Sequence, residues 1–236
     1  MSSISARLAA LADPAYQAFQ AKLIPTLPSG AILGVRMPAL RAFARGLNDT
    51  PEAEAFLAAL PHALYEENCL HSLLLNRVRE GDACLPLLEA FLPYVDNWAT
   101  CDLLNPLALA KRPPGLPARV RAWLDSEREY TVRFGLGVLM RHYLGEAFEP
   151  RYLDWAADLR ADAYYVRMMA AWYYATALAC RYADALPYVA NDRLEPWTRR
   201  KAIQKALESE RIPAERKAEL RRLRAALPQI KGGYNP

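Results

Sequence analysis

The chain has 236 residues, of which 53% are apolar, 10% aromatic and 24% charged. This excludes intrinsic disorder, collagen and low-complexity scaffolds, and it leaves enough chain to bury a core without metal or disulfide staples. The net charge is only +4, but residues 193–236 carry twelve Lys/Arg against five Asp/Glu, while residues 1–192 carry eighteen against twenty-one. Of the thirty cations, twenty-four are Arg. Arg suits planar, multi-donor contact with phosphate, although a GC-rich genome produces the same bias.

The N-terminal MSSISARLAALADPAYQ lacks the charged start, apolar core and cleavage site of a secretory signal. No apolar run approaches the ~20 residues that a bilayer span requires. Cys69, Cys84, Cys101 and Cys180 form no CxxC pair, and His62, His71 and His142 have no ligand spacing with them. Neither a structural zinc site nor a disulfide framework is expected, and reduced thiols in a cytoplasmic protein fit best.

Nearly every segment carries helical periodicity in Leu, Ala, Arg and Glu, all good helix formers. Prolines at 14, 38, 51, 61, 86, 117, 150, 187, 196 and 213 punctuate the chain, several of them where a first helical turn would begin. No succession of alternating strands and hairpin turns is present. The expectation is an all-α protein of twelve to fourteen helices, forming a single domain over 1–236.

Five apolar helices open at Tyr65, Trp98, Thr131, Tyr165 and Thr198, at successive gaps of 33, 33, 34 and 33 residues. Shorter amphipathic segments precede the later ones: PLLEAFLPYV, PARVRAWLDSE, PRYLDWAADL and YADALPYVA. A helix pair repeated at this period predicts an α-solenoid of HEAT-like pairs, with the second helix of each pair lining a concave basic groove. Arg133, Arg167 and the run Arg199-Arg200-Lys201 then fall near the starts of successive inner helices. Such a row either tracks a phosphate backbone or joins each repeat to an acidic residue of its neighbour. Three adjacent cations are costly to pair, which predicts an exposed run at 199–201, with Thr198 as its cap and the first-turn amides pointing outward.

Two aromatic segments are candidates for chemistry. In Asp96-Asn97-Trp98-Ala99-Thr100-Cys101-Asp102, Asp96 or Asn97 caps a helix on which Trp98 and Asp102 stand one turn apart on one face. An indole and a carboxylate facing a groove together suit stabilisation of developing positive charge or orientation of a water. The alternative is a core tryptophan and a structural aspartate. The second segment, 164–174, holds five aromatics in eleven residues. Trp172 lies on a stripe with Tyr165 and Met168 or Met169, a pattern more often core than site, but the five aromatics cannot all face one interior, so some face a groove or solvent. No P-loop, GxGxxG, GxSxG or HExxH is present. Gly30 and Gly34 are a weak loop signal, and Cys69 and His71 point in different directions as packing residues.

LGVRMPALRAFAR (33–45), DNWATCD (96–102), YTVRFG (130–135), YYVRMMAAW (164–172) and LEPWTRRKAIQKAL (194–207) together resemble the bacterial DNA alkylation repair enzymes of the AlkD type. These are HEAT-like-repeat glycosylases that remove alkylated purines. The resemblance implies that Asp102 faces the glycosidic bond, that Trp98 and Trp172 wall the cleft, and that Arg133 contacts the backbone near the lesion. It implies duplex DNA with alkylated bases as partner, no metal or organic cofactor, a monomer, and action in the cytoplasm at the nucleoid. The damaged nucleotide would be cradled from its backbone side, without entry of the base into a deep pocket.

Three departures stand out. Phe19 stands where the family has a tyrosine facing the lesion, so the phenolic hydroxyl is missing unless Tyr16 replaces it; the following loop, Thr26–Ile32, is longer; and Asn97-Trp98 replaces a double tryptophan. Two further readings follow from these departures and from the fold: a non-catalytic module for distorted or branched DNA, and a protein–protein scaffold.

Overall fold

The computed structural model describes residues 3–159 and 162–228. Among these the protein is all-α: fifteen α-helices, two single 3-10 turns and no strand beyond one isolated bridge between Ala12 and Val35. The helix count exceeds the upper end of the sequence expectation by one, and among the helices is a single four-residue turn, Leu107–Ala110, that closely follows the α-helix Trp98–Leu103. No helix among the described residues is long and apolar enough to cross a membrane. The chain divides into two compact units, Met1–Pro114 and Gly115–Pro236.

The first unit holds α1 (Ile4–Ala9), α2 (Pro14–Leu23), α3 (Met37–Leu47), α4 (Pro51–Ala58), α5 (Tyr65–Leu75), α6 (Gly81–Phe91), α7 (Trp98–Leu103) and α8 (Leu107–Ala110). Helices α3, α5 and α7 pack side by side, and α5 also packs on α4 and α6. Helix α5 is buried along its whole length, so its sequence shows no polar face. Its carboxylates serve structure. Glu66 accepts the amides of Leu33, Gly34 and Val35 at 2.7–3.1 Å, and Glu67 accepts those of Ala63 and Leu64.

The 33–35 loop approaches α2 closely enough to require glycine. Gly34 has φ +85°, and a Cβ there would meet the Asp13 carbonyl at 2.4 Å. Asp13 in turn caps α2 through the amides of Ala15 and Tyr16. Those two amides, with Arg36 at 2.8 Å, hold its carboxyl below the usual carboxylate range.

The second unit holds α9 (Leu116–Leu124), α10 (Glu129–His142), α11 (Arg151–Ala157), α12 (Tyr164–Cys180), α13 (Tyr182–Ala190), α14 (Pro196–Glu208) and α15 (Ala214–Ala226). Helices α10, α12 and α14 lie against one another in order, while α9, α11, α13 and α15 pack on them as an outer layer. This is the helix-pair repeat expected from the 33-residue spacing. Its core includes Phe134, Tyr152, Tyr173 and Tyr174, each almost fully buried. Prolines open α2, α3, α4, α9 and α14 within their first two residues, as fixed φ and a missing donor favour. Pro86 and Pro187 instead sit inside α6 and α13.

Candidate functional site

In the first unit, Asn97 is fully buried and caps α7, its Oδ1 accepting the Thr100 amide at 2.9 Å. The cap sets the azimuth of the helix and places Trp98 and Asp102 one turn apart, both half-buried. The Trp98 indole Nε1 donates to the Leu23 carbonyl at 3.1 Å, at the end of α2. That helix presents Phe19 and Leu23, 54% and 43% exposed and one turn apart. Trp98 therefore belongs to a face of the first unit that keeps large apolar groups in solvent, where α7 also carries a carboxylate. Phe19 has Tyr16 stacked beside it at 6.1 Å, and Tyr16 is in turn covered by Arg36.

In the second unit, Trp172 is 41% exposed near the middle of α12, whereas its neighbours Tyr173 and Tyr174 are buried. With Thr176 and Ala179 of α12, Lys205 and Glu208 of α14, and Arg211, it lines a hollow of about 340 Å³. Burial lowers the Lys205 pKa, and repulsion from Lys201 and Arg133 adds to this. Glu208, in the same hollow, pulls the other way. Lys205 follows Lys201 at i+4, so its place on the same face was readable from spacing. Arg211 arrives from the loop after α14, and no local pattern announces it.

The arginine row takes a different form from an open phosphate track. Arg133 is 5% exposed, and its Nη1 donates to the Tyr165 carbonyl at 2.8 Å, while Glu129 accepts the Tyr165 amide at 3.0 Å. Arg167 donates to both carboxylate oxygens of Glu195 at 3.1 Å and lies over the Trp197 ring at 4.7 Å. Each reaches forward to the next helix pair. Of the two roles weighed for this row, these contacts supply the joining one.

The 199–201 run needs correction in two respects. The cap of α14 is Glu195 rather than Thr198: its carboxylate accepts the amides of Trp197 and Thr198 at 2.9 and 3.0 Å, so those first-turn donors do not point outward. With proline at the first helical position, the capping residue is the one before it. The run is also not uniformly exposed. Arg199 is 9% exposed and donates to the Val189 and Ala190 carbonyls at 2.7 Å and to Asp192. Backbone carbonyls at the end of α13 pair it without a second buried charge, an option that the cost of pairing three cations had left out. Arg200 donates to the Leu227 and Pro228 carbonyls at 2.9 and 2.6 Å, and Lys201 lies 5.8 Å from the centre of the Trp197 ring.

Paired α-helices thus present Trp98 with Asp102 in one unit, and Trp172 with Lys205 and Glu208 in the other. The family model described as DNA alkylation repair enzyme matches residues 4–206, and the chain belongs to that family. No individual curated protein gives a significant match.

Proposed function

We propose that the protein is a DNA glycosylase that hydrolyses the N-glycosidic bond of N3- or N7-alkylated purines in duplex DNA, acting as a monomer at the nucleoid. The observation that carries this reading is the pair Trp98 and Asp102 on α7, one turn apart and fixed by the Asn97 cap and the Leu23 carbonyl. An N3- or N7-alkylpurine already bears positive charge, so it leaves without protonation. The enzyme must stabilise the cationic sugar that forms as the bond breaks. The Asp102 carboxylate does so electrostatically and orients the attacking water, while the Trp98 ring beside it adds cation–π attraction. Lys201, Lys205 and Arg200 hold phosphates of the bound strand. Arg133 and Arg167 act on DNA through the helices they position.

The test is release of 7-methylguanine or 3-methyladenine from methylated duplex DNA. Asp102→Asn is expected to lower single-turnover excision by roughly 10²–10³-fold, the scale for loss of one electrostatic group at a reacting centre, with duplex affinity retained. Excision unchanged in Asp102→Asn removes the residue from the chemistry.

One observation favours a second reading, a non-catalytic DNA-binding module. Phe19 is exposed and supplies no hydroxyl where the resembling enzymes have tyrosine. Salt-sensitive duplex binding without any base release is the outcome that selects it.

A further inference from the structure

Helix α15 lies beyond the residues that match the family, which end at 206. It buries only Leu220 and carries Arg216, Lys217, Arg221, Arg222 and Arg224 against Glu215 and Glu219. Arg221 and Arg224 stand at i, i+3 on one face, both exposed, and with Arg200 of α14 they line a hollow of about 580 Å³ floored by Leu207, Ala225 and Leu227. Arg200 is fixed in place by its bonds to the Leu227 and Pro228 carbonyls, and its Nε is buried without a partner. Those bonds also satisfy carbonyls at the C-terminal end of α15, so helix capping accounts for Arg200. It does not account for two further exposed arginines aimed at the same hollow.

Three converging cations on helical positions match the spacing and charge of a polyanion backbone. The floor of the hollow is aliphatic, but its rim carries three arginines with no carboxylate among the described lining residues, which suits an anion.

We propose that the hollow between α14 and α15 is a phosphate seat, formed by Arg200, Arg221 and Arg224, that grips the backbone of undamaged duplex DNA and adds affinity without touching the damaged nucleotide. The proposal rests on the reading of the protein as a DNA-binding enzyme. It places part of the affinity on a helix outside the family's shared residues.

The experiment measures binding of the full chain to an undamaged duplex across a salt series, for the wild type, the double variant Arg221→Ala/Arg224→Ala, and the single variant Arg222→Ala. All three positions are exposed on a helix, and alanine favours the helix, so the fold is retained. The double variant is expected to bind several-fold more weakly at moderate salt, with a log–log salt slope shallower by about two, and to excise at the wild-type rate at saturation. Arg222→Ala is expected to bind nearly as the wild type does. Wild-type affinity and slope in the double variant overturn the seat, and an equal loss per arginine in Arg222→Ala overturns it in favour of diffuse attraction. If the wild type releases bases while the double variant binds normally, the seat alone falls. If the double variant binds weakly while no protein releases a base, the glycosylase reading alone falls. A wild type without duplex affinity overturns both.

Discussion

The indole of Trp98 and the carbonyl of Leu23 are 75 residues apart in sequence and 3.1 Å apart in the structure. This bond ties the start of α7 to the end of α2, and so fixes a candidate catalytic ring and the exposed Phe19–Leu23 helix as one piece. Trp98→Phe keeps an aromatic face but removes the donor. We expect a stability loss of about 1 kcal/mol, the usual net value of one hydrogen bond. We also expect faster amide exchange across residues 14–24, with α14 unaffected. Unchanged exchange in α2 would mean that packing alone holds Trp98.

Glu195 has two structural duties: it caps α14 and accepts Arg167 from α12. Burial works to raise its pKa, but the Trp197 and Thr198 amides, then Arg167, hold it below the usual value. Glu195→Ala is expected to lower stability by roughly 1–2 kcal/mol, mostly through the lost cap, because a part-exposed ion pair contributes little. The charge-dependent part is present above the unfolded carboxylate pKa and is lost as pH falls through the lower folded value. Glu195→Gln retains an acceptor for the amides, so urea titrations near neutral pH should place it between the wild type and Glu195→Ala.

The periodicity of the fold was legible because each helix pair fills the same layer. The openings expected at Tyr65 and Trp98 coincide with the first residues of α5 and α7, and those at Thr131, Tyr165 and Thr198 lie within two residues of α10, α12 and α14. Trp98, Asp102 and Trp172 could be named because helical spacing and a resemblance both marked them. Contacts between segments distant in the chain were not legible. Glu66 meets the amides of 33–35 across 31–33 residues, and nothing local distinguishes it from a solvated glutamate at the start of a helix. The burial of Arg199 depends on where α13 ends, so a triple cation reads as a solvated run until the Val189 and Ala190 carbonyls are placed beside it.

His71 is fully buried, stacked on Phe91 at 3.9 Å, with its Nδ1 2.9 Å from the Nε2 of His62. Burial, and then the neighbouring His62, push its pKa down to about 3. The His62 pKa is also lowered by burial, against the opposing pull of Glu67. A folded pKa below the unfolded value of ~6.5 means that the unfolded chain binds the proton first. Stability is therefore full above ~6.5 and declines towards pH 3, with a slope of up to about 1.4 kcal/mol per pH unit from this group. His71→Phe keeps the stacking and removes the titration, so its stability should fall less steeply between pH 6.5 and 4. A slope equal to that of the wild type would assign the acid sensitivity elsewhere.

Arg199 and Lys201 stand two positions apart on α14, on different sides of the helix, and their substitutions should separate stability from binding. Arg199 joins α14 to the end of α13 through two carbonyls and Asp192, and removing it leaves buried acceptors unmet. Arg199→Ala is expected to lower stability by about 2–3 kcal/mol, the range for losing charge-assisted hydrogen bonds. Lys201 donates to Gln204, lies near the Trp197 ring and repels Lys205, so its removal relieves like charge as much as it loses contact. Lys201→Ala should leave stability within about 0.5 kcal/mol of the wild type, as surface substitutions usually do. If Lys201 holds a phosphate, the same change weakens binding to damaged and undamaged duplexes equally and makes the salt slope shallower by about one. Thermal melts and salt-series binding on the two variants measure both quantities. A large melting shift in Lys201→Ala, or a binding defect without a melting shift in Arg199→Ala, would reverse the assignment.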